Sequence, residues 1–310
     1  MRLIFAGTPE PAVVALQKLI DSDHEVLAVL TRPDARRGRG RTLHPSPVKE
    51  LAEKHGIEVL TPVSLRDDPA VRTRLTDLAP DAIPVVAYGN LIPEDMLDIP
   101  RHGWVNLHFS LLPQWRGAAP VQAAIKNGDV TTGATTFRID AGLDTGDVLG
   151  TIGEDIGPHD TAEDLLTRLA HSGARLLVDT MTALGNGEIT PVPQPADGTY
   201  ARKITPEDAQ VSWTAPSIEI DRAVRAHTPA PGAWTTWDGQ RVKLGPVEPV
   251  ETGDLGPGEV RVEKNAVYVG TGTTDVKLGT IQPPGKKMME AAAWARGLSS
   301  EVLEGGVVFQ

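Results

Sequence analysis

The sequence predicts an α/β protein: a Rossmann-like open sheet of parallel type in an N-terminal domain, followed by a small antiparallel β-barrel of OB-like size. Three observations carry this. Short apolar runs alternate with helix-length segments through the first 150 residues, the pattern of a parallel sheet covered by helices. A stretch holding Pro191, Pro193 and Pro195 interrupts the regular texture. Beyond it, short apolar runs follow one another with turn dipeptides between them. At 310 residues the chain is long for one domain, so a division is expected into 1–189, a linker over 190–208, and 209–310.

In chain order, residues 3–5 read as the first strand, 11–20 as a helix and 26–30 as a second strand. A helix over 46–55 opens with Pro47, which suits the first helical turn. A short strand over 58–60, a helix over 69–78, a central strand over 83–87 and another over 105–109 complete the sheet. Thr161 and Asp164 have capping-box spacing, and Leu165, Leu169, Leu176, Leu177, Met181 and Leu184 recur at helical intervals after them. After the linker come a short helix near 217–227 and β segments over 233–237, 240–244, 259–262, 266–269 and 276–281. Asp238-Gly239 and Lys264-Asn265 fall where hairpin turns belong.

Composition narrows the chemistry. The chain has no cysteine, which removes disulfides, thiolate nucleophiles and Cys-based metal sites. No apolar run is long enough for a membrane span or a signal-peptide core, so a cytoplasmic protein is expected. A net charge of −11 argues against general nucleic-acid binding. The first strand runs into AGTPEP rather than a G-x-G-x-x-G turn, so the backbone cradle for a dinucleotide pyrophosphate is missing.

The densest polar region follows the strand over 105–109. Alternate residues of a strand share a face, so Asn106 and His108 project together while Val105, Leu107 and Phe109 face the other way. An amide and an imidazole thus sit at a strand's C-terminal end, where open α/β sheets place their sites. Asn106 can donate to a developing oxyanion, and His108 can do so when protonated or can move a proton; a strand histidine also occurs as plain structure. Asp140, Asp144 and Asp147 come next, in IDAGLDTGD. A carboxylate near His108 would favour its charged form or orient it, while aspartate beside glycine is also ordinary turn chemistry. No ligand spacing points to a metal. Between them, SLLPQWRG is a proline-kinked loop whose backbone polar groups suit a flat heterocycle.

The run VNLHFSLLPQWRGAAPVQ, followed by IDAGLDTGDVL, resembles the signature of the formyltransferases that use 10-formyltetrahydrofolate. AGTPEPA, RPDARRGRGRTLHPSPVKELA, TPVSLR, VVAYGNLIP, TYARKI and IQPPGKKMM extend the resemblance nearly end to end and narrow it to the methionyl-tRNA formyltransferase family. The resemblance implies that Asn106, His108 and Asp144 are catalytic and that Ser110, Leu111, Leu112 and Pro113 form the folate-contacting loop. It implies 10-formyltetrahydrofolate as co-substrate without a metal, and the acceptor stem of initiator methionyl-tRNA as partner, met by Arg39 with Arg41 beside it. The reaction implied is formyl transfer to the methionyl α-amine by direct attack, for translation initiation. The alternative is a formyltransferase acting on a sugar amine or other small amine with the same donor. One departure is visible: Phe109 stands after the histidine where the family has a small glycine. By alternation it faces away from Asn106 and His108, which predicts a packing difference.

The charge distribution fits an RNA partner better than the average does. Between residues 32 and 49, Arg32, Arg36, Arg37, Arg39, Arg41 and Lys49 stand against Asp34 alone, a local +5. Arg241, Lys243, Lys286, Lys287 and Arg296 are candidates for a second basic track. No heptad pattern suggests self-association, so a monomer is expected.

Overall fold

Seven strands form the principal sheet of the computed structural model, which describes residues 1–37 and 42–310. They are β1 (Arg2–Gly7), β2 (Glu25–Leu30), β3 (Glu58–Leu60), β4 (Ile83–Val86), β5 (Trp104–His108), β6 (Thr131–Arg138) and β7 (Val148–Asp155). Their spatial order is β7-β6-β5-β4-β1-β2-β3. The five strands from β5 to β3 run parallel, whereas β6 and β7 are antiparallel additions. The helices in this part of the chain are α1 (Glu10–Ile20), α2 (Pro47–Lys54), α3 (Pro69–Leu78), α4 (Pro120–Asn127) and α5 (Ala162–Gly185).

Strand alternation sorts the core. Leu3, Phe5, Val105 and Leu107 enter one cluster with Leu16 of α1, Val48 of α2 and Leu177 of α5. Ile4, Ala6, Ile83, Val85 and Trp104 enter another with Val71 and Leu75 of α3. The capping box at the start of α5 is formed: Thr161 Oγ1 accepts from the Asp164 amide at 3.2 Å, and Asp164 Oδ2 accepts from the Thr161 amide at 3.0 Å. The α2 start is similar, with Ser46 Oγ accepting from the Lys49 amide at 3.0 Å.

Strands β6 and β7 are not predicted by the sequence pattern. The β6 sequence TTGATTFR shows no apolar alternation, because Thr132, Thr135 and Thr136 occupy buried positions that apolar residues usually fill. Two of these hydroxyls are satisfied internally: Thr136 with Thr180 at 2.9 Å, and Thr135 with the Ser110 carbonyl at 2.7 Å. A threonine so paired loses little by burial.

The chain forms two compact units, and the second comprises residues 118–130, 156–165 and 201–310. It holds α4 and α6 (Ser217–Ala226), which pack together, with the Arg222 side chain lying over Gly128 at the C-terminal end of α4. The barrel expected there is built as two antiparallel sheets around one core containing Trp213, Val242, Val269, Ile281, Trp294 and Phe309. The run over 276–281 divides at Gly279 into Val276–Leu278 and Thr280–Gln282, which belong to different sheets. A Cβ at Gly279 would come within 2.7 Å of the Pro246 carbonyl oxygen. Asp238 and Gly239 adopt φ of 49° and 67°, as a tight hairpin turn requires.

Candidate active site

The site is built from the C-terminal end of β5 outward. Val105 and Leu107 belong to the core below, and Phe109 packs with them, close to Gly173 of α5. Asn106 and His108 alternate to the other side. The Asn106 amide is half-buried and has no hydrogen-bond partner among the described residues. His108 is 6% exposed, and its ring meets Phe137 of β6 edge-on with centroids 6.3 Å apart.

Two groups define the state of His108. Nε2 lies 2.8 Å from the Trp115 carbonyl oxygen, which can only accept, so Nε2 carries a proton. Nδ1 lies 3.8 Å from Asp144 Oδ2. Burial pushes the imidazole below its ordinary pKa; the Asp144 charge and the Trp115 carbonyl oppose the shift without cancelling it. The resting ring therefore favours the neutral form with Nδ1 open, rather than a standing imidazolium.

Asp144 is the one aspartate of its loop brought to His108. Its Oδ2 also accepts the Gly117 amide at 2.7 Å, and its backbone is left-handed, with φ of 55°. Asp140 forms the turn itself, accepting from the Gly142 amide at 3.0 Å and from Thr145 Oγ1 at 2.9 Å. Asp147 takes part through its backbone, where its carbonyl accepts the Arg138 amide at 2.9 Å.

The loop after β5 is held from several sides. Ser110 Oγ donates to the Gln114 carbonyl at 2.6 Å, and the Leu112 amide donates to Thr135 Oγ1 at 3.2 Å. The Leu111 side chain rests on Gly133, where a Cβ would come within 2.6 Å of its Cδ2. The Pro113 carbonyl accepts the Thr199 amide at 3.2 Å. The carbonyls of Ser110, Leu111 and Pro113 and the Leu112 amide are thus engaged within the fold, and Leu111, Leu112 and Pro113 present half-buried faces. A rigidly held loop with half-buried apolar faces suits a flat heterocycle.

Sequence reasoning missed Arg116 and Gln194. Arg116 is 2% exposed and donates to Gln194 Oε1 at 3.0 and 3.3 Å and to the Pro195 carbonyl at 2.9 Å. Gln194 Nε2 donates in turn to the carbonyls of Asp144, at 3.0 Å, and Gly146, at 2.7 Å. The proline-rich stretch is thus tied to the site at Gln194 and Thr199. Nothing local marks Gln194; the one available signal is an arginine inside SLLPQWRG without an acidic neighbour.

Arg39 and Arg41 lie outside the described residues. On either side of them, Ala35–Arg37 and Thr42–His44 pair antiparallel. Two cations of the basic stretch are committed elsewhere: Lys49 pairs with Asp34 at 2.9 Å, and Arg32 donates to the Gly89 carbonyl at 2.7 Å. Arg241 and Lys243 sit on the exposed side of strand Gln240–Leu244, with the Arg241 guanidinium 3.7 Å from the Trp234 ring centroid. Lys286 and Lys287 lie in the exposed turn after Thr280–Gln282, the neighbouring strand, and Arg296 closes the helix Ala291–Arg296. Among the described residues no cluster of three or more His, Cys, Asp or Glu could hold a metal ion, and no helix is long and apolar enough to cross a membrane.

An Asn, His and Asp set at the end of a parallel strand, beside a tightly held loop, marks a group-transfer site, and the comparisons give it a family. Residues 1–181 match the formyl transferase family and residues 203–299 its C-terminal domain, so the chain belongs to the formyl transferases. Within the family it is similar to methionyl-tRNA formyltransferases: that of Corynebacterium aurimucosum is 65% identical over 99% of this chain and 98% of its own. The methionyl-tRNA formyltransferase of Thermobifida fusca is 59% identical over 96% of each chain. Among solved structures, the sugar 3N-formyl transferase WlaRD superposes with a TM-score of 0.68 at 18% identity, covering 93% of this chain and 99% of that one. HypX from Aquifex aeolicus, in complex with tetrahydrofolic acid, gives 0.63 at 19% identity over 96% of this chain and 47% of that one. These structures share the fold.

Proposed function

We propose that this chain transfers the formyl group of 10-formyltetrahydrofolate to the free α-amine of initiator methionyl-tRNA, yielding N-formylmethionyl-tRNA for translation initiation in the cytoplasm. The observation that carries the substrate is 65% identity to a methionyl-tRNA formyltransferase across nearly the whole of both chains. The chemistry rests on the site. The loop of Ser110, Leu111, Leu112 and Pro113 holds the folate, which supplies the formyl group. The Asn106 amide, without a partner among the described residues, donates to the oxyanion that develops as the amine adds to the formyl carbon. Neutral His108 takes a proton from the attacking nitrogen at Nδ1, and the imidazolium formed is stabilised by Asp144 and by the Trp115 carbonyl. As the tetrahedral intermediate collapses, the bond between the formyl carbon and N10 of the folate breaks, and the imidazolium returns its proton to N10, which releases tetrahydrofolate and restores neutral His108. Residues 1–189 serve donor binding and chemistry, 190–208 connect, and 209–310 hold tRNA together with Arg39 and Arg41; the enzyme acts as a monomer.

The test incubates purified protein with 10-formyltetrahydrofolate and methionyl-initiator tRNA, with methionyl-elongator tRNA and an aminosugar nucleotide as parallel acceptors. Formylation of the initiator tRNA far above the other two is expected. Preference for the aminosugar would overturn the reading.

A further inference from the structure

Asp144 has an exacting position to keep. Its carboxylate must reach both His108 and the Gly117 amide, and its own φ of 55° lies in the left-handed region, which aspartate enters more readily than most side chains but which still costs energy. Its support comes from the proline-rich stretch. Gln194 is saturated in one orientation: Oε1 faces the Arg116 guanidinium, and both protons of Nε2 go to the carbonyls of Asp144 and Gly146. A reversed amide would set N–H against guanidinium and oxygen against carbonyl, so Arg116 fixes which way Gln194 points. Arg116 is itself buried, with no carboxylate partner among the described residues. Carbonyls of Pro195 and Ala196, at 2.9 and 3.4 Å, and the Tyr200 hydroxyl, at 3.5 Å, complete its shell. At Gly146, a Cβ would collide with the Arg138 carbonyl, so the strand end at Arg138 confines the loop from the opposite side.

We propose that Gln194, oriented by Arg116, is a positioning residue for the formyl-transfer reaction: it holds the backbone at 144–146 so that the Asp144 carboxylate stays at His108 Nδ1. It touches neither reacting atom and acts through Asp144. The proposal rests on the roles assigned above to His108 and Asp144, and it predicts a signature that loss of packing alone would not give. If the backbone at 144 relaxes, the charge that raises the His108 pKa recedes, and the imidazole titrates at lower pH.

The experiment follows the His108 ring by NMR across a pH titration in wild type, Gln194→Ala and Gln194→Met, with Asp144→Asn as reference, and measures turnover in parallel. The methionine variant keeps the side-chain length if alanine folds poorly. The His108 midpoint should move down in both Gln194 variants, in the direction given by Asp144→Asn. Turnover should fall about 10- to 100-fold, as for a catalytic group displaced by an ångström or less, with KM for either substrate within about twofold. An unchanged His108 midpoint in a folded Gln194 variant overturns the proposal, whatever its activity. The titration needs no substrate, so it reads the positioning role even if wild-type enzyme formylates a different acceptor, which would count against the functional assignment alone.

Discussion

At the scale of single residues, His108 is governed by opposing influences. Burial favours the uncharged ring, and Asp144 favours the charged one. In the proposed reaction His108 accepts a proton and must be neutral, so turnover should fall as pH drops through a midpoint below the ordinary imidazole value of 6.5. Asp144→Asn removes the charge that raises that midpoint, so its residual activity should keep its acid limb at still lower pH, which a kcat profile from pH 5 to 8 checks. Asn106→Ala should cost about a hundredfold to a thousandfold in kcat, the usual loss for an oxyanion donor, with an unchanged melting temperature. The pairing of Asn106 with His108 was legible from strand alternation. The choice among Asp140, Asp144 and Asp147 came from the family resemblance and not from the residue pattern, since all three share the same glycine-rich setting and only the folded turn commits Asp140 to Thr145. Arg116 and Gln194 were illegible for a related reason: their meaning lies in each other, 78 positions apart.

At the scale of elements, the parallel core was readable from its short apolar runs, and the starts of α2 and α5 were readable from Pro47 and from the capping-box spacing of Thr161 and Asp164. Thr161→Ala should lower stability by about 1 kcal/mol through loss of the α5 cap, measured as a shift in urea midpoint with unchanged slope. The strands β6 and β7 were hidden because β6 buries threonines and β7, at the sheet edge, alternates with glycine and acidic residues. Thr135 explains why β6 tolerates this composition: its hydroxyl bonds the Ser110 carbonyl and the Leu112 amide, so the polar strand is the platform beneath the loop over 110–113.

At the scale of the whole molecule, a net charge of −11 coexists with a basic stretch whose Arg32 and Lys49 are already engaged by the protein. Arg36, Arg37, Arg39 and Arg41 make up the rest of the positive charge of that stretch. Arg39→Glu with Arg41→Glu should raise KM for tRNA about tenfold or more and leave KM for folate unchanged. The slope of log affinity for tRNA against log salt should flatten by about one for each phosphate no longer neutralised. Acid stability has a separate origin. His227 is buried, and burial together with the nearby Lys126 charge pushes its pKa down to about 4. Unfolded, it takes up a proton near 6.5, so the unfolded state binds more protons between those values. Stability should hold above about pH 6.5 and decline towards pH 4, by at most about 1.4 kcal/mol per pH unit from this residue. In His227→Gln, urea denaturation at stepped pH should show a shallower decline.

The discontinuous second unit sets a limit on dissection. A fragment begun at residue 201 would carry the two antiparallel sheets but not α4, the partner of α6, whose Val121, Ala124 and Ile125 are buried. It would also lack the Asp160 carbonyl to which the buried Arg225 donates at 3.0 Å. Cutting the gene at the proline-rich stretch therefore does not release a self-sufficient module. A transplantable version would have to carry 118–130 and 156–165 with it, rejoined by new connections.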